Sequence, residues 1–153
     1  MDRLPTRRAA RPITTDGAHH AQVDVEPDAS LLASLAARCF AIDGVEENRT
    51  QVSVPGTRAL WVAPDIPIVH GSGVHGREFA HLHPDGSLHV SLPADRANEV
   101  IDQAWGEAPP EAHQAHHPGR VMLYTALDHD EVEVIAGLVR ESFDHVTGQV
   151  RDV

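Results

Sequence analysis

Arg77-Glu-Phe-Ala-His81-Leu-His83-Pro-Asp-Gly86-Ser-Leu-His89-Val-Ser-Leu92 combines a turn signature with strict alternation on either side of it. In Pro84-Asp85-Gly86, proline presets φ for the first turn position and glycine supplies a positive φ at the last. A three-residue loop of this kind closes a hairpin through a type I turn and a glycine bulge. It sets His83 opposite Ser87, Leu82 opposite Leu88, His81 opposite His89 and Ala80 opposite Val90. Paired residues share a face, so Ala80, Leu82, Leu88 and Val90 go to one side and His81, His83, Ser87 and His89 to the other. A two-residue loop would set Leu88 against His83 and mix the faces, so burial selects the three-residue register.

Working outward, a chain of 153 residues suits one domain with a real core. Its formal charge is −11, with 23 acidic against 12 basic residues. That balance argues against nucleic-acid or anionic-membrane partners. Every basic residue is arginine, which excludes lysine nucleophiles and Schiff bases. Cys39 stands alone, so neither an internal disulfide nor a cysteine metal cage can form, and its place in a helical apolar pattern predicts a buried, inert thiol. No apolar run is long enough for a membrane span and no secretory segment opens the chain, so a cytoplasmic location is expected.

Residues 1–27 hold four arginines, three prolines and the His19-His20 pair but few large apolar side chains, and read as a disordered tail. Asp28 or Ser30 caps a helix carrying Leu31, Leu32, Leu35, Ala36, Cys39 and Phe40, with Gly44 beyond it. Thr50–Val54 and Arg58–Val62 read as a hairpin about Pro55-Gly56-Thr57. A glycine-rich loop, His70 to Gly76, lacks the lysine and spacing of a phosphate-binding loop. After the histidine hairpin, Pro93 starts a helix running toward Trp105-Gly106, 107–120 is a loop, Val121–Tyr124 is a short strand, and Asp128 or Asp130 caps the last helix. Residues 28–153 thus form an α+β two-layer sandwich: an antiparallel sheet of about four to five strands, helices on one face, and the histidine face wet.

His81 and His83 on one strand and His89 directly across can converge on one ion, because opposed Cβ atoms lie about 4.5–5.5 Å apart. Neutral imidazole suits a transition metal such as zinc or iron, and three histidines with an open position are a catalytic pattern. His75, Glu78 or Asp85 can add a ligand or a supporting acceptor, although the parity of Glu78 puts it on the Leu82 side. Ser87, Arg77 and Trp105 are candidate ligand-binding residues, Trp105 reading equally as a core anchor. His113, His116 and His117 lie in the loop before the last strand. Two functions follow: a binding or accessory domain presenting the histidine-rich face to a small molecule or protein partner, or a hydrolytic or oxidative metalloenzyme centred on the His-x-His hairpin.

The pattern His81-Leu-His83-Pro-Asp-Gly-Ser-Leu-His89, then Trp105-Gly-Glu107, then a strand at Val121 to Tyr124 and a helix from Asp130 to Thr147-Gly148, resembles the luciferase-domain family over about half the chain. The family name implies light-producing oxidation; the resemblance carries over no catalytic set. Where the typical Tyr-x-Pro-Arg-Asp would stand, this chain has Tyr124-Thr-Ala-Leu-Asp128, without the arginine. The same half is similar in architecture to YjbR-like and frataxin-like double-wing proteins, which implies an α+β fold and no particular activity.

Overall fold

The computed structural model describes residues 2–16, 20–51, 53–71, 76–110 and 118–149. The central hairpin forms in the expected register, with His81 opposite His89 and Leu82 opposite Leu88 between β3 (Glu78–Leu82) and β4 (Leu88–Ser91). Gly86 takes φ +91°, and the His83 amide donates to the Ser87 carbonyl at 2.8 Å, closing the Pro84-Asp85-Gly86 loop. Around this pair stand β1 (Val45–Asn48), β2 (Arg58–Val62), β5 (Gly106–Glu107) and β6 (Arg120–Leu123). The sheet has six strands in the order β1-β2-β3-β4-β6-β5, every neighbour antiparallel. The fold is α+β, with slightly more strands than the alternation indicates because β5 is only two residues long.

Helix α1 (Ala29–Phe40) begins at Asp28, whose carboxylate accepts from the Leu31 amide, and α3 (His129–Thr147) begins likewise at Asp128, which accepts from Glu131. Gly148, at φ +68°, ends α3 in the left-handed conformation that favours glycine. Helix α2 (Ala94–Asp102) follows Pro93. The buried sides of all three helices join Leu60, Val62, Ala80, Leu82, Leu88 and Val90 in one apolar cluster. Cys39 lies inside it, fully buried, its thiol pushed up to about 12 by desolvation, which makes it inert as expected. Among the described residues no helix is long and apolar enough to cross a membrane.

Leu88 has no exposed surface. Leu88→Ala is expected to cost about 2–5 kcal/mol in urea unfolding. A loss below about 1 kcal/mol would show that the hairpin does not anchor the core.

Two elements depart from the sequence reading. The strand before β2 is Val45–Asn48 and not Thr50–Val54. Thr50 and Gln51 instead direct their hydroxyl and backbone amide onto the Glu78 carboxylate at 3.0 and 2.8 Å, which withdraws the Gln51 amide from a ladder. The second is the N-terminal segment, which the composition marks as disordered but which lies packed on the domain. Leu4 is buried, Arg7 donates to Glu131 and to the Thr125 carbonyl, and the Trp105 indole donates to the Pro5 carbonyl. Gln22 exchanges bonds with Thr125, and Thr14 bridges to Gln22. Most of these anchors are polar, which is why a count of apolar side chains overlooks them.

Candidate functional site

The face opposite the helices is covered, which corrects the expectation of a wet histidine surface. His81, His83 and His89 are 2, 7 and 7 % exposed, and Ser87 is fully buried. The N-terminal segment and the loop between β1 and β2 lie over them, since His20, Gln22, Ser53 and Val54 wall the same cavity. Strand alternation fixes the side on which the residues emerge; it says nothing about what folds back over that side.

The hairpin does bring the three histidines together. One ring nitrogen from each lies within 4.8 Å of the others. The ring centroids of the three pairs are 4.8–5.0 Å apart. Ligands of a tetrahedral ion with bonds of 2.0–2.1 Å sit about 3.4 Å apart, so modest side-chain rotation would close the set on a metal.

Each orientation has a cause. Glu78, fully buried, faces His81, whose Nδ1 donates to the carboxylate at 3.2 Å. Simple parity places Glu78 on the Leu82 side. A bulge reverses it, because Leu60 pairs with Ala80 while Trp61 pairs with Glu78, leaving Phe79 as an extra residue. Phe79 packs edge-on to Phe143 in the core, and Glu78 swings to the histidine side. Burial alone would raise the Glu78 carboxyl, but bonds from His81, Gln51 and Thr50 outweigh it and hold it below the usual carboxylate range.

At the loop end of the hairpin, Ser87 donates to Asp85 at 2.6 Å and accepts from His83 Nδ1 at 2.9 Å. Both chains put the proton on Nδ1 and leave Nε2 of His81 and His83 with a lone pair. This is the carboxylate-backed arrangement of metal-binding histidines. His89 Nδ1 lies 2.9 Å from His81 Nε2, a spacing that requires a shared proton or a cation between them. Burial pushes His83 down to about 4 and His89 well below its ordinary value, and the charge His81 would carry when protonated acts on both in the same direction. The two imidazoles are therefore neutral near pH 7, the form that ligates a metal.

The histidines open on a cavity of about 310 Å³, the size of a small-ligand site. Half-buried Arg120 also lines it, pushed below its ordinary value by burial while the Glu78 charge opposes the shift. The remaining candidates divide. Ser87 stands behind His83 as a supporting group. Arg77 does not line the cavity; its guanidinium ties together the carbonyls of Val62, Ala63 and Ile66. Nor does Trp105, which is a core anchor. His75, His113, His116 and His117 lie outside the described residues. Sequence reasoning missed His20, Gln22 and Arg120; the His19-His20 pair was the one available signal.

A two-layer α+β domain with a buried, carboxylate-backed histidine cluster beside a small cavity defines the class to which the chain conforms. Residues 76–142 match the Luciferase domain family. It is 27% identical to a luciferase of Armillaria ostoyae and 27% identical to one of Armillaria gallica, in each case over 94% of this chain and 61% of the relative. It is 29% identical to a luciferase of Neonothopanus nambi over 59% of this chain and 39% of the relative. The chain spans about three fifths of the length of the Armillaria relatives. No solved structure matches it.

Proposed function

We propose that this chain is a metal-dependent luciferase-domain enzyme in which His81, His83 and His89 would hold a transition metal at the floor of the cavity and a small molecule is oxidised there, with dioxygen as the co-substrate that takes up its electrons. The observation that carries this reading is the convergence of three buried imidazoles, two of them backed by carboxylates, beside a cavity of about 310 Å³. The relatives' name favours oxidation over hydrolysis, and hence iron over zinc, which has no redox chemistry. The metal would supply the redox step. This chain's residues do the rest: Glu78 and the Asp85-Ser87 pair fix the imidazole tautomers, and the N-terminal segment and the β1–β2 loop shield the site from water. The buried, unpaired Cys39 and the acidic charge accord with a cytoplasmic location and no nucleic-acid partner.

Metal analysis of untagged protein, grown with iron and with zinc supplements, tests this. About one ion per chain is expected in wild type, and far less in His81→Ala, His83→Ala and His89→Ala. A metal-free wild type after both supplements would reject the metal centre. It would favour a binding or accessory domain, in which the 2.9 Å contact of His81 with His89 is an ordinary hydrogen bond and the cavity holds a ligand or partner group directly.

A further inference from the structure

His20 belongs to no part of the metal centre, yet it walls the same cavity, with its ring centroid 5.7 Å from that of His89. It is 6 % exposed. Its Nε2 lies 2.7 Å from Glu107 Oε2, and the same carboxylate accepts from Thr14 at 2.8 Å and from the Tyr124 hydroxyl at 2.9 Å. A carboxylate that only accepts fixes the proton on Nε2 and orients the ring. The other nitrogen, Nδ1, is buried without a hydrogen-bond partner among the described residues. A buried polar atom left bare is costly, and at the wall of a cavity it marks the place of a group the cavity receives. Arg120 lines the same cavity, and a guanidinium has donors enough to take a carboxylate beside its existing partners.

We propose that His20, oriented by Glu107, is a ligand-binding residue contributed by the N-terminal segment, that its Nδ1 bonds a hydroxyl of the ligand, and that the ligand is a small hydroxy acid whose carboxylate faces Arg120. The assignment rests on the cavity being a ligand site, as above, and not on the metal. Pro84, Val54 and Ala21 give the cavity an apolar wall for the rest of such a molecule.

Mandelate, phenylacetate and mandelamide probe the two groups separately, the second lacking the hydroxyl and the third the charge. Calorimetry is run on the full chain and on His20→Gln, which keeps a donor toward Glu107 but has no acceptor at the Nδ1 position. Mandelate is expected to bind wild type about tenfold more tightly than phenylacetate, the worth of one good hydrogen bond. It should also bind more tightly than mandelamide. In His20→Gln the preference for the hydroxyl should fall to near one, with metal content unchanged. Equal affinity for mandelate and phenylacetate in wild type, a preference that survives in His20→Gln, or no binding of mandelate would overturn the assignment. Loss of metal in His20→Gln would overturn it as well, making the residue part of the metal site. A hydroxyl preference in protein that never loads metal would leave this inference standing while the metal centre fell.

Discussion

Arg7→Ala should cost about 3–5 kcal/mol, the range for removing one partner of a buried ion pair. The Arg7 side chain is 2 % and the Glu131 side chain 11 % exposed, their charged groups lie 3.0 Å apart, and Arg7 also holds the Thr125 carbonyl. Removing it strands a carboxylate in a nearly dry site. The loss has a ceiling, because the chain can lift its first residues and let water reach Glu131. The measured value therefore cannot exceed the free energy that docks the segment. Urea unfolding and limited proteolysis read the two limbs together: a loss near 3–5 kcal/mol with an intact N-terminus, or a smaller loss with new cleavage before about residue 27. Unchanged stability together with unchanged cleavage would mean that the segment is not docked through Arg7. Lifting it also exposes the histidines, so faster metal exchange should accompany the second outcome.

Metal-free protein should lose stability as the pH falls from about 6.5 to about 4. In the unfolded chain His83 titrates near 6.5, whereas in the fold it titrates near 4. Between those values the unfolded state binds more protons, so stability rises with pH and falls on acidification. From His83 alone the full loss is about 3 kcal/mol, 2.5 units at 1.36 kcal/mol each. His89 is shifted in the same direction and adds to it. Unfolding measured at half-unit steps from pH 8 to 4 in wild type and in His83→Gln checks the sign and the source. An equally steep decline in the variant would assign the slope to other groups. The same shift alters the expectation for metal binding: proton competition at His83 and His89 is deferred below the window that ordinary imidazoles would set.

The hairpin was legible because two independent signals agreed, the Pro84-Asp85-Gly86 turn and the alternation on both sides of it. That agreement placed His81, His83 and His89 on one face and Leu82 and Leu88 in the core. Glu78 was not legible, since counting by twos assumes an unbroken ladder and the register shift at Phe79 is set by packing against Phe143, far away in the chain. His20 was hidden differently. Its segment is held by Arg7, Gln22 and the Trp105 indole bond, and polar anchors of this kind have no periodicity to read. The short strand Val45–Asn48 is hidden because Thr50–Val54 has the better strand composition, but the Glu78 carboxylate claims the Gln51 amide.

A single surplus residue in β3 divides that strand into two phases. Before Phe79 the side chains answer to one parity and after it to the other, so one ribbon can serve the dry layer and the chemical layer at adjacent positions. Two groups three residues apart, Glu78 and His81, thereby meet side by side, a spacing more familiar on helices. An ordinary pleat would have sent them to opposite layers. Excising Phe79 would bring the ribbon back into phase with Glu78 two residues from His81 and still on the histidine face, but would empty the place Phe79 fills against Phe143, so the surplus residue serves the dry layer without costing the cluster its acidic support.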